Sequence, residues 1–442
     1  MKKQLLSSFL TVLIFMASPS VLAAPNLSEQ EVIQHIIAHN PVLLGAQEAV
    51  NIARAEQKES EAALWPILGV NSQFTAGNVQ HMSMPVPDVP AASMSMRPQG
   101  LTANLNATVM YPVFTGGKIQ AQIEGARQRV QQAQIDYTQQ LLSLRTDALL
   151  ALLNMRWQSS RIAVFIAERE RQREDLKLIE KRFALGKEPY YNVLRSQALL
   201  DNIQQSLNKA ELERAQQGLE LRRITALPKE TPLLFSEALD NPGPFKGVFE
   251  RQRIKQQITE HSPQLNILKS RILEAETRVR ISQSRYMPFI YLVGVYEQRI
   301  PEIESMQYTS GAAVDLLISL PVFDGFNRDA ESERLRKEVT LLRYTYADVE
   351  NRLHAEADKW LIALEVNQQN IELSASAVQQ SQQEYSLIKQ RYDLGKAILL
   401  ELLEASRLYQ QAQLNQLENW LLYETSRIRL ESLIDQSVVS GF

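Results

Sequence analysis

The feature that most constrains this chain is an internal repeat marked by prolines and glycines. Tyr111-Pro112-Val113-Phe114-Thr115-Gly116 is followed by Arg182-Phe183-Ala184-Leu185-Gly186-Lys187. Leu320-Pro321-Val322-Phe323-Asp324-Gly325 is followed in the same way by Arg391-Tyr392-Asp393-Leu394-Gly395-Lys396. Gly116 and Gly186 are 70 residues apart, and so are Gly325 and Gly395. Pro41 and Pro66 are 25 apart, as are Pro263 and Pro288. Two spacings kept to the residue mean a tandem duplication. The copies are offset by 222 residues at the prolines and by 209 at the glycines, so the first copy carries 13 extra residues between Pro66 and Pro112. That insertion is expected to be a loop.

The apolar and polar patterns fill in each copy. Residues 27–64 read as a helix with Ser28 as N-cap and an early interruption at Pro41. Residues 67–76 read as a strand. Over 101–111, Leu101, Ala103, Leu105, Ala107, Val109 and Tyr111 alternate with Thr102, Asn104, Asn106 and Thr108, which predicts a strand with one apolar and one polar face. Gly77 to Gly100, rich in Pro and Met, reads as an irregular loop. From Gly117 to Gly186 no proline appears, and a helix of 70 residues would span roughly 105 Å. Leu141, Leu144, Ala148, Leu149, Leu152 and Met155 form its buried stripe, and Gly186 stands where a helix ends. A returning helix runs to Leu227 and is shorter than the outgoing one.

The second copy repeats the plan: helix 250–286, strands 289–299 and 311–320, a long helix from Asn327 to Leu394, and a return to Ile434. The predicted organisation is therefore a first repeat over 24–227, with hairpin 67–111 and long helices 117–226. A Pro- and Gly-rich linker over 228–247 follows. The second repeat covers 248–434, with hairpin 289–320 and long helices 327–434, and a tail covers 435–442. The fold class is mainly α with a small β part.

Lys2, Lys3, the apolar run Phe9 to Ala17 and Val21-Leu22-Ala23 read as a secretory signal peptide over residues 1–23. No later stretch has about 18 consecutive apolar residues, so no transmembrane helix is expected. With residues 1–23 removed the formal charge is 45 against 50, or −5, which leaves no basic footprint for nucleic acid. The chain has no cysteine, hence no disulfide, thiolate site or lipid-bearing Cys. Entry into a membrane would have to be as a β-barrel. Four strands cannot close one, but three chains bring twelve, within the range of outer-membrane barrels.

The ordered set of Pro-Val-Phe-x-Gly before each long helix and Phe/Tyr-x-x-Gly turns at Gly186 and Gly395 resembles the TolC family of outer-membrane efflux proteins, over the whole mature chain. The resemblance implies a homotrimer in the Gram-negative outer membrane, in contact with its lipid. A twelve-stranded β-barrel would continue as an α-helical tunnel across the periplasm and serve a periplasmic adaptor (membrane fusion) protein and an inner-membrane pump. It implies an exit duct for small molecules and drugs or for type I secretion, with no cofactor and no catalysis. By position, Arg182, Leu185, Gly186, Arg391, Leu394 and Gly395 match tip turns touched by adaptors, and Pro112, Phe114, Gly116, Pro321, Phe323 and Gly325 match the helix-opening motif. Tyr392 matches a gate tyrosine. Glu401 and Glu404, three apart and so on one helix face, fall where an acidic pair lines the closed tip, where carboxylate rings would favour cations. Asn192 stands where a tip carboxylate is expected and Ala397 where a gate arginine is, so the lock between neighbouring coils must be built differently.

Other readings are open at this level. Glu401 and Glu404 also fit a solvated helix face. His81, Met82, Met84, Met94 and Met96 could hold Cu(I), which would make the cargo a metal cation of the copper or silver type, but they also fit an adaptable surface loop. His35 and His39, four apart, lack the third ligand of a metalloprotease pattern and read as a solvated face. The Gly-Lys pairs at 117, 186 and 395 lack the rest of a phosphate loop, and no nucleophile elbow is present, so an exported enzyme is not expected. A periplasmic coiled-coil scaffold without a pore would have no need of half-apolar strands.

Overall fold

The computed structural model describes residues 29–76, 101–227, 250–300 and 309–434. The signal segment, Ser28, the Met-rich loop, the linker, Pro301 and the tail lie outside these residues. The elements are α1 (Glu29–His39), α2 (Pro41–Ala62), β1 (Ile67–Ala76), β2 (Leu101–Phe114), α3 (Lys118–Ala184), α4 (Tyr190–Thr225), α5 (Arg251–His261), α6 (Pro263–Ser284), β3 (Phe289–Ile300), β4 (Thr309–Ser319), α7 (Asn327–Asp393) and α8 (Leu399–Ile434). The duplication is visible in the lengths: α3 and α7 both have 67 residues, and α4 and α8 both have 36. At 1.5 Å per residue the longer pair spans about 100 Å.

Two expectations need correction. The helix expected over 250–286 is two helices, because Pro263 removes an N–H and pushes Ser262 to extended backbone with ψ 122°. The helix read over 27–64 divides at Asn40, at the interruption expected from Pro41. Pro112 and Phe114 do not open a helix. They lie at the end of β2, where a bulge falls between them, and α3 starts only after Gly116 and Gly117.

Asn40 shows how a short returning helix is completed. Its side-chain oxygen accepts the N–H of Val42 at 2.9 Å and so caps α2, while its amide donates to Ile224 O at 2.6 Å. His35 donates through Nδ1 to Thr225 O at 2.7 Å. The last carbonyls of α4 are thus met by the α1–α2 corner, and α4 followed by α2 runs alongside α3 for most of its length. His35 is a half-buried carbonyl partner rather than a solvated side chain; His39 stacks on it, with ring centroids 4.3 Å apart, and stays exposed. The expected stripe on α3 packs here: Ala148 and Met155 are buried with Ile36, Leu43, Leu221 and Ile224.

The four strands form one antiparallel sheet in the order β1-β2-β3-β4. Its register sorts the side chains. Val70, Ala107, Tyr296 and Ala312 are aligned, as are Leu68, Val109, Gly294 and Val314. With Phe74, Leu292, Leu316 and Ile318 they make an apolar face, and it is bare: Phe74 is 76% exposed and Val314 75%. The opposite face carries Asn71, Asn104, Asn106, Thr108 and Asp315, and Arg299, which bonds Glu297 at 2.7 Å and Asn104 at 3.1 Å. A sheet with one apolar face and one richer in polar side chains, and with both edges open among the described residues, has the pattern of a barrel segment in lipid.

The two copies meet along β2–β3 and, below the sheet, along α3–α6. At that crossing Gly125 lets the helices close, since a Cβ there would stand 2.8 Å from Thr277 Oγ1. Gly125→Val should therefore separate α3 from α6 and destabilise the protein by about 1–3 kcal/mol, read as a lower heat-denaturation midpoint.

Candidate gate at the helical tips

Both long helices end in the same turn. Gly186 has φ 67° and Gly395 φ 72°, a region that costs a side chain but not glycine. Lys187 N–H donates to Arg182 O at 2.8 Å and Lys396 N–H to Arg391 O at 2.7 Å, each closing the last helical turn. Leu185 and Leu394 project from the turns, 70% and 71% exposed.

The turns are tied together by groups from both copies. The Arg182 guanidinium donates to Tyr392 O at 2.7 Å and to Asp393 O at 3.0 Å, and it lies 4.3 Å from the Tyr392 ring centroid. The Tyr392 hydroxyl donates to Glu188 Oε1 at 3.1 Å, and Asn192 Nδ2 donates to Glu188 Oε2 at 2.6 Å. Tyr392 is fully buried among Ile179, Val193, Leu399 and Leu402. Burial, followed by the Glu188 carboxylate, pushes its pKa up to about 12, so it remains a neutral donor. Arg391, the counterpart of Arg182, donates instead to Lys396 O of its own turn, at 3.4 Å.

The expected gaps at Asn192 and Ala397 are thereby filled from elsewhere. Glu188, one helical turn before Asn192, brings the carboxylate, and Arg182 brings the cation. Glu188 is absent from the residues expected at the gate. The available signal is an acid just before Pro189 at the start of α4, where the helix dipole favours negative charge.

Glu401 and Glu404 are exposed on α8, while Leu402 and Leu403 between them are buried. Each has a local partner. Glu401 accepts the Ile398 N–H at 3.3 Å. Glu404 pairs with Arg407 at 2.6 Å, and that bond holds its carboxyl below the usual range. A ring built from Glu404 would carry its own counter-charge.

Above the turns, α3 presents a buried polar row. Glu168 binds Arg171 and accepts Ser406 Oγ at 2.7 Å, and Gln172 donates to Ser196 Oγ at 2.7 Å. Asp175, 2% exposed, lies 3.3 Å from Lys389 Nζ. Burial pushes the Asp175 carboxyl up, and Lys389 offsets only part of this. Burial also opposes the Lys389 charge, but Lys389 keeps a third of its surface in water, and Asp175 and Tyr385 hold it above its ordinary value.

Among the described residues no three His, Cys, Asp or Glu side chains form a metal cluster, and no helix is long and apolar enough to cross a membrane. His81, Met82, Met84, Met94 and Met96 lie outside those residues.

A carboxyl raised by folding binds a proton in the native state that the unfolded chain has already lost. Its contribution is most favourable at low pH and declines as pH rises from the ordinary Asp value through the folded one. Asp175→Asn removes that loss. Its melting midpoint relative to wild type should rise as pH increases across the acidic range, checked by thermal denaturation at several pH values.

A family model described as outer membrane efflux protein matches residues 32–227 and 254–435. No curated protein matches the chain. Among solved structures the fold is similar to the outer membrane protein VceC of Vibrio cholerae, with TM-score 0.78, 17% identity, and 92% of this chain and 96% of that one covered. It is also similar to the CmeC outer membrane channel of Campylobacter jejuni, with TM-score 0.78, 14% identity, and 94% and 87% covered. CusC gives TM-score 0.78, 14% identity, and 92% and 91% covered. At such identities the likeness is one of fold.

Proposed function

We propose a function from one established premise: the chain belongs to the outer membrane efflux protein family. It is an outer-membrane efflux channel, and its family is one of channels rather than enzymes. The finer reading is a homotrimeric exit duct that takes small molecules from an inner-membrane pump through a periplasmic adaptor. The observation that carries it is the sheet, apolar on one face and polar on the other with two open edges, continued by helices of about 100 Å. A pore-free scaffold would leave those edges and that apolar face without purpose.

In this reading the chain does no chemistry. The polar face of the sheet lines a water-filled path, and the tips form the gate. Arg182, Tyr392, Glu188 and Asn192 hold the α7–α8 tip against the α3–α4 tip. Hydrogen bonds to charged groups contribute roughly 1.5–3 kcal/mol each. A partner opens the gate only by binding the open state better by a comparable amount. The bare leucines at 185 and 394 offer surface for such binding. Sequence position alone points to Tyr392 as a gate residue, and its hydroxyl gives that role a concrete bond.

Conductance of the purified protein in a planar bilayer tests both levels. Wild type should show small, cation-selective channels. Tyr392→Phe, which deletes the bond to Glu188, should raise the open fraction. Glu401→Ala should reduce cation selectivity more than Glu404→Ala, because Arg407 already compensates Glu404. A protein that forms no channel and stays soluble without detergent would overturn the duct.

A further inference from the structure

The polar face of the sheet is not polar along its whole height. Its half far from the helices is: Asn71, Asn106 and Glu297 share one row, and Gln73, Asn104 and Arg299 the next. The half beside the helices is apolar. Ile67, Met110 and Val293 are aligned across three strands, and Tyr291 with Leu317, then Phe289, follow toward α6. Side chains alternate along a strand, so these six lie on the same face as Asn71 and Glu297. That face is the concave one, since Met110 and Leu317 are half-buried while Val109, Tyr111, Leu316 and Ile318 beside them are exposed. The interior of an outer-membrane barrel is ordinarily polar, so an apolar band at its neck calls for a reason.

One acid stands in that band. Asp315 is aligned with Val293, in the row of Ile67 and Met110, and it is exposed. No Lys or Arg among the described residues pairs with it, whereas Glu297, higher on the same face, is tied to Arg299 at 2.7 Å. Tyr291 lies diagonally from Asp315 across β3 and β4, which sets the two side chains roughly 7–8 Å apart. The band therefore offers an uncompensated carboxylate, an aromatic ring and aliphatic surface together, with Ile67 68% exposed.

We infer that the neck of the barrel is a binding site for lipophilic organic cations, with Asp315 supplying the charge and Tyr291 and its neighbours the apolar contact; this rests on the duct reading above. The chemistry selects this ligand class. A hydrated metal ion would find one carboxylate among apolar groups, too few oxygens to replace its water. An anion is repelled, and a neutral apolar molecule makes no use of the charge. A cation carrying apolar surface uses the carboxylate, the ring face and the aliphatic side chains at once. The hold is weak because Asp315 stands in water, where charge attraction is small. A weak hold suits a duct, since what enters must also leave. Three chains bring three such acids to one level of the barrel.

The chain has no cysteine, so a single introduced one carries a label alone. Thr108→Cys, one row above the band on the same face, takes a bimane fluorophore in the full-length protein in lipid vesicles. Tetraphenylphosphonium should change its fluorescence with saturation. Tetramethylammonium, which has the charge but little apolar surface, should not do so at the same concentration. Asp315→Asn should raise the half-saturating concentration about fivefold, and Tyr291→Leu about threefold. Glu297→Gln should leave it unchanged. Should Asp315→Asn fail to assemble, Tyr291→Leu decides. A bimane on Val109→Cys, on the opposite face, reads partition of the probe into lipid. Equal responses at the two labels, an equal response to tetramethylammonium, or a response that neither substitution weakens overturns the site. If that protein still conducts in a planar bilayer, the duct stands without it. A protein that forms no channel overturns the duct and the site together.

Discussion

Hydrogen bonds along the edges of a four-stranded sheet govern the rest of this molecule. In hydrocarbon an unpaired backbone N–H or C=O costs several kcal/mol, so a spanning sheet must close on itself. The described residues supply four strands and two bare edges. Closure therefore has to be intermolecular, and a ring of sheets imposes a ring on the helices suspended from it.

Much of this was legible in the sequence because it is written in backbone chemistry. Gly186 and Gly395 end helices through positive φ, and Pro66 and Pro288 stand between helix and strand. The alternation over Leu101–Tyr111 reports a two-faced sheet. These are local effects, and local effects survive without tertiary context. The break at Ser262 is harder to read although Pro263 is the same signal as Pro41, because a proline at the first helical turn is compatible with the helix that follows.

The candidate gate was less legible. Glu188 and Arg182 flank the first turn, and Tyr392 comes from the second, up to 210 positions away. The repeated turn motif places Arg182 and Tyr392 at the two tips, but no motif signals that Glu188 joins them. Position alone points to Tyr392, and from the missing acid and arginine it tells only that the lock must be built differently. The same acid-and-cation chemistry is present, displaced by one turn and one helix. Equal sequence landmarks can also diverge in what they do, for Arg182 spans the two turns while Arg391 closes its own.

The matched lengths of the helices have an evolutionary consequence. Each residue added to α3 alone would advance its tip by about 1.5 Å and rotate it by about 100° relative to the α7 tip. That change would swing Arg182 away from Tyr392 and tilt an otherwise level rim of turns. Insertions in the shaft are therefore viable only when both copies change together, as the identical 67-residue helices attest. The 13-residue difference between the copies falls instead between Pro66 and Pro112, where extra length leaves both tips in step. Length in this family member is free to drift at the far end of the hairpins and locked along the shaft.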